Sequence, residues 1–109
     1  MFEIPNTVMT VQNIDELNLA IQENKKVILD FSTEWCPPCR VMKGTISNLS
    51  FELEGVAKVI KVDPEKLEAV AKNYNIKGIP YFIGLVDSKE TGRAHGIVPI
   101  QQLKRLIHE

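Results

Sequence analysis

The chain has 109 residues, enough for one hydrophobic core and too few for two, so residues 1–109 are expected to form a single domain. Apolar residues make up 44% and charged residues 25%, the balance of a soluble globular protein, and a net charge of −1 gives no pull toward nucleic acid or anionic membranes. Two cysteines cannot make a disulfide framework, and no apolar run approaches the length of a membrane span.

Met1 to Asn6 lacks the basic and apolar regions of a secretion signal, so a reducing, cytoplasmic setting is expected. Thr7 to Val11 reads as a short first strand. Asn13 reads as a helix N-cap with Glu16 three residues on, a capping-box pattern. Ile14, Leu17, Leu19 and Ile21 supply the apolar face of that helix through Asn24. Val27 to Phe31 is apolar without alternation until Asp30, as expected for a strand buried on both faces. A long helix follows from about Cys36 to Glu54, with Val41, Ile46, Leu49, Phe51 and Leu53 on its buried side and Gly44 inside it. Gly55 ends it, and Val56 to Val62 is the next strand.

Asp63-Pro64 resembles an N-cap followed by proline at the first helical position. Leu67, Val70, Ala71 and Tyr74 share one face of the helix it opens, and Asn73 to Gly78 is the exit loop. Pro80 heads a strand over Tyr81 to Val86, in which Gly84 suggests close packing or a bulge. Asp87 to Gly92 reads as a polar hairpin turn and Thr91 to Ile97 as an antiparallel edge strand. Pro99 opens the last helix, with Ile100, Leu103, Leu106 and Ile107 facing inward. The order β-α-β-α-β-α-β-β-α predicts an α/β fold, a parallel sheet covered on both faces and extended by a terminal antiparallel hairpin.

Both cysteines lie in Trp35-Cys36-Pro37-Pro38-Cys39, between the apolar strand and the long helix. A helix N-terminus favours an anion, because its N–H groups are unpaired and the macrodipole is positive there. Cys36 sits at that start and is the expected attacking sulfur, since the thiolate is the nucleophile. Cys39, one helical turn on, can close a disulfide with it and is expected to be the more buried, resolving thiol. Pro37 and Pro38 have no N–H to offer the Cys36 sulfur, so within the motif only the Cys39 amide can donate. Half of a zinc site is the competing reading of two such cysteines. It needs more soft ligands than the chain holds, with only His95 and His108 besides.

Asp30-Phe31-Ser32-Thr33-Glu34-Trp35-Cys36-Pro37-Pro38-Cys39 resembles the active-site segment of the thioredoxin family. Gly78-Ile79-Pro80 resembles that family's cis-proline loop. The resemblance runs from about Val8 to Ile107. It implies a thioredoxin fold, a central mixed sheet of about five strands with about four helices on both faces, and reduction of protein disulfides. Departures are Pro37-Pro38 in place of the usual Gly-Pro, Ser32 where Trp is common, Gly44 where a proline kinks the helix, and Tyr81 where Thr is common.

Read alone, Asp30 is an acid at a strand end, exposed and idle. The resemblance implies a proton acceptor for Cys39, directly or through a water, with Lys61 beside it. It further implies that Trp35, Pro37, Pro38, Ile79, Pro80, Gly96 and Ile97 form a mostly apolar patch for the substrate, with Ile79 pairing to its backbone. His95 lies at the rim of that patch with no catalytic role. The expected partners are protein disulfides and a flavoprotein thioredoxin reductase drawing on NADPH. The chain itself has no glycine-rich phosphate loop and is expected to need no cofactor or metal beyond its Cys36–Cys39 pair. A monomer is the expectation at this size. The other functions considered are a disulfide oxidase or isomerase of higher potential, and a binding module in which the cysteines are incidental.

Overall fold

A computed structural model describes residues 7–109. The leading segment Met1 to Asn6, read above as carrying no secretion signal, lies outside them. The elements follow the expected order: β1 (Met9–Thr10), α1 (Ile14–Glu23), β2 (Lys26–Phe31), α2 (Pro37–Glu52), β3 (Lys58–Val62), α3 (Glu68–Asn73), β4 (Tyr81–Val86), β5 (Lys89–His95) and α4 (Ile100–Arg105). They form one five-stranded mixed sheet in the order β1-β3-β2-β4-β5. β1, β3 and β2 run parallel; β4 and β5 are antiparallel.

Alternation along the central strand assigns the two faces. Val27, Leu29 and Phe31 of β2 join Ile60 and Val62 of β3, Ile83 and Leu85 of β4, Leu17 and Ala20 of α1 and Val70 of α3. Ile28 of β2 joins Val59, Phe82 and Ala94 with Met42, Ile46 and Leu49 of α2 and Leu103 of α4. The period of two therefore puts Asp30, two residues beyond Ile28, on the α2 face. A strand in the middle of the sheet has both faces covered, which is why its apolar run is continuous.

Several expectations are corrected by the packing. β1 is shorter than Thr7 to Val11, although the Val11 amide still donates to the Lys61 carbonyl at 3.3 Å. In α1, Asn13 caps the Glu16 amide at 2.9 Å, but the Glu16 carboxylate accepts from Gln12 rather than from the cap residue. Leu17 and Ala20 are buried there while Ile14 and Leu19 are exposed, because one stripe of a ten-residue helix reaches the sheet. In α2, Val41 and Phe51 are likewise exposed. The buried stripe is Cys39, Met42, Ile46, Leu49 and Ser50, at spacings of three and four.

The third helix starts later than Asp63. Its carboxylate accepts from the Glu65 and Lys66 amides at 2.8 and 3.3 Å, which closes one isolated turn before α3 begins at Glu68. The hairpin turn is shorter than Asp87 to Gly92. Asp87 and Ser88 alone make it, both at positive φ (51° and 66°), the geometry of a two-residue turn between twisted strands. Gly84 meets both parts of its expectation. The ladder shifts register between Gly84 and Leu85, leaving Thr91 unpaired, and a Cβ at Gly84 would lie 2.5 Å from the Leu106 carbonyl oxygen. The Thr91 hydroxyl donates to that same oxygen at 2.5 Å, so the end of α4 is docked onto the bulge. Among the described residues no helix is long and apolar enough to cross a membrane.

Candidate active site

Five elements converge at one end of the sheet: the C-terminal end of β2, the N-terminus of α2, the end of β3, the loop before β4 and the end of β5. Cys36 is the N-cap of α2, with extended backbone (φ −77°, ψ 119°), and Pro37 and Pro38 are the first helical residues. The Cys39 amide donates to the Cys36 sulfur at 3.4 Å, the one donor expected within the motif. No acidic residue occupies the first turn of α2, so the positive end of its dipole is not neutralised locally. Both cysteines are free thiols.

The expectation that Cys39 is the more buried of the two is not met: Cys36 is 4% exposed and Cys39 7%. The two lie on one helical turn, and Cys36 is covered from the other side by the Ile79-Pro80 loop. Its sulfur lies 4.0 Å from the Ile79 carbonyl oxygen. What separates the cysteines is surroundings. Burial pushes the Cys39 thiol up to about 12, with Cys36 and Asp30 adding to the rise and the Thr33 backbone opposing it.

Asp30 is buried rather than exposed at the strand end. Burial raises its carboxyl to about 6, against smaller opposing effects of the Ser32 hydroxyl and the Lys61 ammonium. Asp30 and Cys39 line one small cavity of about 160 Å³, with Ser32, Thr33, Ser47 and Lys61 also on its walls. Among the described residues, Asp30 Oδ1 and Thr33 Oγ1 are buried without a hydrogen-bond partner. Lys61 lies opposite Asp30 in the parallel β2–β3 register, but its ammonium is paired with Glu34. Lys43 approaches the other Glu34 oxygen at 3.6 Å. The hydrogen bond and charge of Lys61, then the charge of Lys43, hold the Glu34 carboxyl below its usual range.

The Ile79-Pro80 peptide bond is cis. The Gly96 amide donates to the Pro80 carbonyl at 2.8 Å, which fixes the end of β5 beside the loop. Of the residues expected to form the apolar patch, Trp35 and Ile97 are 61% and 62% exposed and Pro37 is exposed, whereas Pro38, Ile79 and Gly96 are half-buried and Pro80 is buried. His95, at the rim, stacks on Tyr81 with ring centroids 5.8 Å apart.

Three residues of this end were not singled out from the sequence. Glu34 holds Lys61. Glu65 accepts from the Trp35 indole N–H at 2.5 Å. Arg40 donates to the Glu34 and Trp35 carbonyls, both at 3.1 Å, and braces the loop ahead of Cys36. Glu34 and Glu65 lie outside the helices and strands and Arg40 lies in α2, and the partners of such charged side chains appear only once the chain is folded. Among the described residues, no group of three or more His, Cys, Asp or Glu is placed to hold a metal ion.

The family model described as thioredoxin matches residues 7–109. A potato protein, thioredoxin-like protein CITRX, chloroplastic, is 32% identical over 92% of this chain and 58% of its own length. Arabidopsis thaliana thioredoxin Y2, chloroplastic, is 35% identical over 79% of this chain and 52% of its own. The chain thus spans somewhat over half the length of these curated relatives. Among solved structures, a mutant thioredoxin from Halobacterium salinarum superposes with a TM-score of 0.85 at 27% identity, covering 98% of this chain and 93% of that one.

Proposed function

The chain belongs to the thioredoxin family, and from that premise we propose that it is a thiol–disulfide oxidoreductase that reduces disulfides of other proteins. One observation carries the proposal: a thiol at a helix N-terminus receives the amide of a second thiol at 3.4 Å and faces a backbone carbonyl 4.0 Å away. A substrate strand lying along Ile79 would bring its disulfide to that sulfur.

The proposed cycle moves two electrons and two protons. The Cys36 thiolate attacks one sulfur of the substrate disulfide, forms a mixed disulfide and expels the other substrate sulfur as a thiolate. Cys39, as thiolate, then attacks the Cys36 sulfur. The intramolecular disulfide forms and the second substrate thiolate leaves. The Cys39 proton must go first, and its thiol is held protonated by burial. In this reading Asp30, which lines the same cavity, takes that proton directly or through a water. Lys61, paired to Glu34, acts on Asp30 through charge rather than contact. Reductant would come from outside the chain, through a flavoprotein reductase using NADPH. A reducing compartment fits this reading. The curated relatives described above are chloroplast proteins by name, and they lend no support to a cytoplasmic one.

The test is the equilibrium reduction potential of the Cys36–Cys39 pair against glutathione, read by Trp35 fluorescence. A value near roughly −270 mV supports a reductant, and one above roughly −200 mV replaces it with an oxidase or isomerase. If Cys36→Ser preserved the cellular role, the chain would be a binding module instead.

A further inference from the structure

The groove across Ile79 and Pro80 belongs to the reaction proposed above. That groove is an open pocket walled by residues 77–81, by His95 at the end of β5 and by Gly96 just beyond it. Tyr81 and His95 are directly opposite in the β4–β5 ladder and their rings stack at 20°. Arg93 covers the Tyr81 ring at 5.7 Å from its centroid. Arg93 is in turn tied to Glu90 by two hydrogen bonds, of 2.7 and 2.9 Å, so its charge is already matched.

The charge of the pocket is one-sided. Lys77 is exposed and makes no ion pair among the described residues, and no carboxylate lines the cavity. Glu65, an acid at this end of the molecule, is engaged by the Trp35 indole. Ile79 is shared between this pocket and the Cys36 contact, so a substrate segment paired along it would carry side chains over Lys77 and His95. In a strand, alternate side chains share a face, so the residue reaching the pocket lies close in sequence to the reacting half-cystine.

We propose that this pocket is a specificity subsite for an acidic side chain of the substrate, within two residues of the reacting half-cystine, held by the Lys77 ammonium and the His95 ring. The proposal rests on the oxidoreductase reading.

The experiment compares kcat/KM of the reduced protein toward one set of peptide disulfides that differ only in Asp, Asn or Lys at the positions one and two residues from the half-cystine. The Asp peptide is expected to react about threefold to fivefold faster than the Lys peptide at its best position, the size of an exposed ion pair. Lys77→Glu is expected to invert that order, and His95→Asn to narrow it. The preference of the unaltered protein should fade at about 1 M salt, where the screening length falls to about 3 Å. Equal rates for Asp and Lys peptides, a Lys preference, or an order unchanged by Lys77→Glu in a folded variant would each overturn the subsite. A protein that reduces none of the peptides overturns the oxidoreductase reading, and the subsite with it.

Discussion

Lys61 is registered opposite Asp30 across β2 and β3, yet its ammonium is paired with Glu34. The Lys61 cation is therefore engaged by an exposed carboxylate, and Asp30 Oδ1 has no hydrogen-bond partner among the described residues. Glu34, Lys61, Cys39 and, from α2, Arg40 and Lys43 line the same cavity.

Replacing Glu34 by Gln should lower the Asp30 carboxyl below its value of about 6. The lost carboxylate and the released Lys61 act in the same direction, because both favour the ionised acid. Lys61→Met should raise it. A carbon-13 titration of the Asp30 carboxyl in each variant reads both effects. An unchanged value in both would mean that burial alone governs the group.

Asp30→Asn should separate two steps of the cycle. Attack by Cys36 should be little changed, while release of the mixed disulfide slows by about a hundredfold, the usual size of a lost general base. In the parent that release should speed up as pH rises through about 6, where Asp30 ionises, and Asp30→Asn should abolish this rise. Stability gives an independent reading. The folded carboxyl titrates at about 6 against 3.8 when unperturbed, so the folded state holds the proton more tightly. Its stabilising contribution is complete below 3.8 and is lost as pH rises through about 6. Between about pH 4 and pH 7.5, urea unfolding of the reduced proteins should shift in favour of Asp30→Asn by about 2 to 3 kcal/mol relative to the parent. A difference independent of pH would show that Asp30 is not raised.

Two glycines should respond in opposite ways to alanine. Gly84→Ala drives a Cβ to 2.5 Å from the Leu106 carbonyl oxygen and 2.8 Å from its carbon, backbone atoms held by the docking of α4. A loss of about 3 kcal/mol is expected in urea unfolding, at the upper end for overpacking. Gly44→Ala, inside α2 with nothing within 4 Å of the new Cβ, should gain about 1 kcal/mol from helix propensity. A loss at Gly44 would show that α2 needs glycine there to bend.

Much of this protein was legible in its residues taken a few at a time. The order of elements, the Asn13 and Cys36 caps, the limits of β4 and the dependence of the Cys36 sulfur on the Cys39 amide follow from local rules. Spacing, missing proline donors and alternation all act within a turn or a strand. Asp30 could be located but not interpreted, since whether a strand-end acid is exposed or buried depends on what α2 lays over it. Other features were decided by the tertiary structure alone. Val41 and Phe51 face solvent because the sheet meets α2 along a single stripe. Cys36 is as buried as Cys39 because a loop 43 residues away covers it. Lys61 turns to Glu34 and Trp35 to Glu65, each a pairing between segments that share no local pattern. Long-range partners of polar side chains are set by where the backbone brings them, and sequence spacing does not encode that distance.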